Sequence, residues 1–432
     1  MQDPAPELAW INRDYFTRVL ETYLHADVTV QRYELAAGCP GGQNFMSAIV
    51  RATVHYTLPS SDPTRPETVS LIVKTKLANA ELAEEADQLN VFGIEKTIYG
   101  PIMKAVRELL TSFGDCTQFA PRFIYEDEHA LVLEDLAVKG YRQPDRRGRL
   151  DQPHMRLIVQ KLAKFHAATA VLGRKVVRLV AGLRPVLTAP ILIVTEQSNR
   201  DLLRGLASAS FATEGNPIHL YYGNAIQHCI DQTVRVPELS QYTEFLRSFL
   251  GQAIERETKS YECDESGFNV LNHGDMWLNN LLWKYDADGT VSDVIMVDYQ
   301  ESFYGSPAFD LNHLLYSSAN NVIQRAGFDD LVQLYTDELV AALRQFKYDG
   351  PLPDLARVRT EMASKRDHAL IITTCIVPPL ILENSELATP ENMIGDHEEA
   401  VRTRDEIFSN PKFIEILSIL LPRLTVDDGV SS

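Results

Sequence analysis

The chain has 432 residues, 45% of them hydrophobic and 23% charged, and a formal net charge of -18. That length suits one large two-lobed domain or two ordinary ones, with a globular rather than a disordered balance. The acidic charge disfavours nucleic acid and anionic membrane surfaces as partners.

Five cysteines, Cys39, Cys116, Cys229, Cys263 and Cys375, are scattered and form no C-x-x-C pair. A disulfide framework or zinc site needs clustering, so a reducing compartment is expected. Met1 to Trp10 carries acids and prolines rather than a basic-then-apolar leader. The longest apolar run, Ile371 to Leu382, falls short of the ~20 residues that span a bilayer. A cytoplasmic location is the expectation.

In chain order, Leu8, Ile11, Tyr15, Val19 and Tyr23 predict a helix over 8–24. Strands follow at Val28 to Leu35, Phe45 to Leu58 and Val69 to Leu77, the first two joined by the turn Gly38-Cys39-Pro40-Gly41-Gly42. A helix is predicted over 79–110, with a break before Pro101, then short strands at 119–125 and 129–134. Asp151 as N-cap and Pro153 in the first turn open a helix over 151–170. Helical patterns also fit 240–259, 307–318, 328–346, 354–376 and 397–421. Leu281 to Tyr285 and Val291 to Val297 read as strands. The order predicts an α+β chain: a small antiparallel sheet with one helix, then a mainly helical remainder. The change falls near 135–140, giving lobes 1–136 and 137–432.

The chemistry concentrates in Leu271-Asn272-His273-Gly274-Asp275-Met276-Trp277-Leu278-Asn279-Asn280. Asn280 stands five positions after Asp275. A strand, the turn Asp286-Ala287-Asp288-Gly289 and a second strand then lead to Asp298. Protein kinases separate a catalytic Asp, an Asn and a metal-binding Asp in this way. Phosphoryl transfer needs one carboxylate to orient the acceptor hydroxyl and take its proton, a task that suits Asp275. Magnesium takes hard oxygens and keeps several waters, so Asn280 and Asp298 suffice as protein ligands. Taken alone, His-Gly-Asp is a turn and Asp298 a strand-end cap. Four elements in order and spacing outweigh that. A metallohydrolase reading finds no second His/Asp cluster.

Lys74 lies in the apolar strand Leu71-Ile72-Val73-Lys74, where an unpaired ammonium is costly. Glu95 is its natural partner, leaving Lys74 aimed at the ATP phosphates. Glu81, Glu84 and Glu85 compete for that role, and Lys74 also fits an edge-strand lysine. The turn with Gly41, Gly42 and Asn44, followed by Ser47, offers backbone N–H groups to phosphates. By itself it is an ordinary hairpin turn. Glu134 and Leu136 end the sheet's last strand, where an inter-lobe hinge would read the adenine edge.

The segments L-N-H-G-D-M-W-L-N-N-L-L and V-D-Y-Q-E-S-F-Y-G-S-P-A-F-D-L resemble the ecdysteroid kinase-like family. Val132 to Leu136, Phe92 to Tyr99, Ile72 to Lys74 and Leu162 to Ala167 support the match, which spans about residues 30–380. The resemblance implies a bilobal protein-kinase-like fold and ATP- and Mg2+-dependent phosphorylation of a small alcohol, an ecdysteroid or similar compound. It implies Asp275 as base, Asn280 and Asp298 as metal ligands, and Lys74 with Glu95 as the phosphate-orienting pair. Asp310, in Pro307-Ala308-Phe309-Asp310, would brace the catalytic loop.

Asp298 is followed by Tyr299-Gln300 rather than Phe-Gly, and Tyr304 comes within six residues. There is no room for a long activation loop, which argues against a protein substrate. Substrate contacts are expected in 170–268 and in the helices after 354. His166 reads as a core residue, and Trp277 as packing the loop or touching substrate. A catalytically silent protein of the same fold, holding a nucleotide or lipophile, is the competing class. All four core polar residues are present, which favours the enzyme.

Overall fold

The computed structural model describes residues 8–38, 48–60, 65–76, 91–182, 217–264, 266–382, 387 and 389–425. The chain divides into two compact units, residues 1–100 with 120–142, and residues 101–119 with 143–432.

The first unit opens on the helix Arg13–Leu24. Asn12 caps it, its side chain accepting the Tyr15 N–H at 3.0 Å. The helix buries Tyr15, Phe16, Val19 and Leu20. Each contributes about 1.5–3 kcal/mol of apolar burial. They pack on a sheet of five antiparallel strands: β1 (Thr29–Ala37), β2 (Ala48–Thr57), β3 (Glu67–Thr75), β4 (Phe123–Glu126) and β5 (Ala130–Glu134). The spatial order is β1-β2-β3-β5-β4. Val30, Val50, Ala52, Val54, Leu71, Val73 and Val132 share the helix-covered face. Strand alternation sends Lys74 to the other face, between Ile49 of β2 and Leu131 of β5. Val91–Thr97 forms a helix, and Ile98–Ile102 is a π turn that takes up Pro101. The expected break is thus absorbed by one extra residue per turn, which removes the clash a proline ring makes in an α-helix. The beginning of that predicted helix, 79–90, lies outside the described residues.

In the second unit the helix Gln152–Gly182 runs 31 residues, well past the predicted end at 170. Asp151 caps it, accepting the His154 N–H at 3.3 Å. The helix Phe328–Gln345 packs against it. The helix Ala308–Ser318 is buried on every side and forms the centre of this unit. Two short ladders lie beside it: β6 (Val270–Asn272) pairs with β9 (Phe303–Gly305), and β7 (Leu281–Tyr285) with β8 (Val291–Met296). Three predicted helices come out divided. The 240–259 segment is a 3-10 turn plus Thr243–Leu250 and Ala253–Ser260. The 354–376 segment is Leu355–Ser364, Arg366–Ile371 and a π turn, and 397–421 is Glu398–Phe408 and Pro411–Thr425. Continuous apolar spacing hid these breaks, because each piece buries a face of its own. No helix among the described residues is long and apolar enough to cross a membrane.

Candidate active site

The β6–β9 ladder and the β7–β8 hairpin hold the His273–Asn280 loop from both ends. Its first part rests on Asp310, a fully buried carboxylate at the start of the Ala308–Ser318 helix. Asp310 accepts the backbone N–H of His273 at 2.7 Å and of Gly274 at 2.9 Å. His166, equally buried, lies 3.1 Å from the same carboxylate and 2.7 Å from the Tyr335 hydroxyl. Burial alone would raise Asp310, but His166, His273 and the Gly274 N–H hold it below the usual carboxylate range. Gly274 takes φ +89, and a Cβ there would lie 2.0 Å from the Glu301 carbonyl oxygen. Only glycine fits that approach.

His273 is buried and fixed at both nitrogens. Its Nε2 donates to the Val297 carbonyl at 2.9 Å, and its Nδ1 accepts the Asp275 N–H at 3.3 Å. Those two partners define the ring's tautomer. The histidine therefore ties the start of the loop to the strand end just before Asp298.

Asp275 follows with its side chain 19% exposed. The Asn280 amide nitrogen donates to its Oδ2 at 2.8 Å and to its backbone carbonyl at 3.0 Å. The Trp277 indole N–H donates to the same Oδ2 at 3.1 Å. The structure thus brings Asp275 and Asn280 into direct contact and gives Trp277 a polar role that sequence reasoning missed. Asn280 is set by a 3-10 turn, Leu278–Asn280, pinned by the Leu278 N–H on the Ser318 hydroxyl at 2.9 Å. Its carbonyl accepts the Val297 N–H at 2.9 Å, which brings the end of β8 alongside.

Asp298 follows with φ +69, a left-handed conformation that an aspartate tolerates better than most residues. Burial raises Asp275 well above the usual carboxylate range, and Glu301 and Asp298 raise it further, against Asn280 and Trp277. Glu301 is pushed up to about 7 by its surroundings and by Asp298. That residue is exposed, so water tempers the rise. Here three carboxylates crowd together, and the Asn280 amide, its nitrogen engaged, keeps its oxygen for another partner. One carboxylate, one amide oxygen and surplus negative charge fit a hard divalent cation that keeps most of its waters. No group of three or more His, Cys, Asp or Glu among the described residues forms a metal cage by itself.

In the first unit, Lys74 and Glu95 form an ion pair at 2.7 Å, with side chains 4% and 0% exposed. The helix Val91–Thr97 supplies the glutamate. Glu81, Glu84 and Glu85 lie outside the described residues, as do Gly41, Gly42, Asn44 and Ser47. Glu134 is half-buried beside Lys139, and its backbone N–H donates to the Arg122 carbonyl at 3.0 Å. Leu136 is buried and begins the 3-10 turn Leu136–Lys139. That turn is capped by Asp135, which also accepts Arg51 Nε at 2.8 Å and the Ser70 hydroxyl at 2.6 Å. This tie across β2, β3 and the end of β5 escaped the sequence reading. Its one local signal was the capping position of Asp135 ahead of a glycine-ended turn.

The first unit thus carries a buried lysine–glutamate pair on a small antiparallel sheet, and the second an Asp-Asn pair followed by a hairpin-end Asp, residue types that protein kinases also use. The chain belongs to the ecdysteroid kinase-like family, whose model matches residues 41–186 and 189–348. It is similar to the solved structure of an ethanolamine kinase from Plasmodium vivax, at 10% identity over 89% of this chain and 84% of that one, with a TM-score of 0.36. It is also similar to a choline kinase from Streptococcus pneumoniae, at 11% identity over 94% of this chain and 98% of that one, with a TM-score of 0.30. No curated protein matches the chain.

Proposed function

We propose that the protein transfers the γ-phosphoryl group of ATP to a hydroxyl of an ecdysteroid or similar small alcohol. The observation that carries this reading is the Asp275–Asn280 contact, with one carboxylate oxygen bound twice and the other without a hydrogen bond among the described residues. Asp275 orients the acceptor hydroxyl and takes its proton as the oxygen attacks the γ-phosphorus. The bond from that phosphorus to the β-bridging oxygen breaks, and ADP leaves with the electron pair. Asn280 and Asp298 would hold Mg2+, which when bound would neutralise charge on the phosphates. Lys74, fixed by Glu95, orients the α- and β-phosphates. Gly41, Gly42, Asn44 and Ser47 supply N–H and hydroxyl donors to the phosphates, and the backbone at Glu134 and Leu136 reads the adenine edge. Residues 1–136 form the nucleotide-binding lobe and 137–432 the catalytic and acceptor-binding lobe. The protein acts in the cytoplasm on a small molecule.

The test is ATP consumption, with product detection, against a hydroxyl-compound panel that includes 20-hydroxyecdysone and choline. Turnover of at least one alcohol is expected, and Asp275→Asn should lower it by about 10²–10⁴-fold while MgADP still binds. An Asp275→Asn variant as active as the unmutated protein removes Asp275 as the base. Nucleotide binding without turnover of any alcohol removes the enzyme reading.

A further inference from the structure

The two oxygens of Asp275 have unequal surroundings. Oδ2 takes the Trp277 and Asn280 donors, whereas Oδ1 receives no hydrogen bond among the described residues. His313 Nε2 stands 3.7 Å from that open oxygen. His313 projects from the buried Ala308–Ser318 helix and is 3% exposed, yet the Gly274 backbone is its one close polar neighbour besides Asp275, and neither ring nitrogen completes a well-formed hydrogen bond among the described residues. A buried imidazole with a nitrogen left over is a costly arrangement that calls for a ligand.

The ring behind it is equally deliberate. His368 lies edge-on to His313, centroids 5.9 Å apart, and its Nδ1 is 2.8 Å from the carboxylate of fully buried Glu257. Phe309 packs 5.0 Å from the His368 ring and 4.7 Å from Tyr261, so an aromatic wall holds the pair in place. His368 Nε2 and Glu257 Oε2 also lack hydrogen-bond partners among the described residues. The unpaired polar atoms thus lie on three neighbouring side chains, His313, His368 and Glu257.

We propose that His313 binds the acceptor: its Nε2 hydrogen-bonds the oxygen of the hydroxyl whose proton goes to Asp275 Oδ1. This rests on the kinase reading with Asp275 as base. An oxygen about 2.8 Å from each atom fits between groups 3.7 Å apart. One lone pair then meets His313 and the other stays free for the phosphorus. Burial first, and His368 next, push His313 down to about 3, so the ring is a neutral donor. Glu301 and Asp298 are the acids that act on Asp275 here. The acceptor class this fits is a neutral or cationic alcohol, and anionic hydroxy acids are repelled.

The test uses the full chain with 20-hydroxyecdysone and choline as acceptors and compares His313→Ala with His313→Gln, with MgADP affinity as the folding check. The Ala variant should lose about 30-fold in kcat/KM, mostly as a raised KM for the alcohol, and Gln, which keeps an N–H, should recover about tenfold. Ala within about threefold of the unmutated protein overturns the proposal. So do Ala and Gln variants that are equally impaired while both bind MgADP, since that pattern marks a structural role. Should the Ala variant fail to bind MgADP, the Gln variant decides, and a loss above about 30-fold there overturns the proposal. An unmutated protein that binds MgADP but turns over no alcohol of the hydroxyl-compound panel overturns the kinase reading and this inference together.

Discussion

Replacing Asp310 by Asn tests the foundation of the His273–Asn280 loop. Asp310 Oδ2 receives the His273 N–H and faces His166, and Oδ1 receives the Gly274 N–H. An amide presents one oxygen and one NH2 group. Whichever way it turns, a donor meets a buried backbone donor. The change loses a charge-assisted bond of about 1.5–3 kcal/mol and strands a buried N–H at about 1–3 kcal/mol more. A loss of about 2.5–6 kcal/mol is expected, or a fall of at least about 5 °C in Tm at roughly 2–4 °C per kcal/mol. Tryptophan fluorescence reports it, because Trp277 and Trp283 both lie in the second unit. The sign with pH is also set. Asp310 is held below its ordinary value in the folded protein, so its contribution is present above about pH 4 and fades as pH falls through the lower folded value. The stability gap between the two proteins should therefore narrow in acid. A Tm shift under about 2 °C, or a gap that widens in acid, refutes the reasoning.

Gly274→Ala should be at least as damaging, since the new Cβ meets the Glu301 carbonyl at 2.0 Å and φ is +89. Loss of turnover together with a lower Tm is the expected pair of readings. Lys74→Met leaves Glu95 buried without its cation, at about 3–5 kcal/mol. Adding Glu95→Gln should restore most of that stability but not MgADP affinity, read by thermal unfolding and calorimetry.

The strands and the loop that joins Asp275 to Asn280 were legible because period-two apolar runs and the Asp275, Asn280 and Asp298 spacing are local properties of the chain. The Lys74–Glu95 pair was legible for a different reason: a lysine in an apolar strand demands an anion, and few are within reach. What stayed hidden depends on packing between distant segments. Trp277 read as packing the loop or touching substrate, because nothing in its neighbours reveals where the indole N–H points. His313 carried a faint signal. It stands three residues after Asp310 on one helix, so both share the face turned to the loop. Its pairing with His368 spans 55 residues and could not be read from spacing. Helix breaks at Lys365 and Ser409 were hidden because the apolar period continues across them.

The left-handed backbone at Asp298 has an evolutionary consequence. Among L-residues, Asn and Asp occupy that conformation most readily, and glycine does so freely. The substitutions that relax this backbone most, Asn and Gly, also delete the charge that the proposed chemistry needs. Chance drift at this codon is therefore steered toward a well-folded, chemically idle protein. Retention of the acid at this strained position is a sharper marker of an active lineage than retention of the surrounding core.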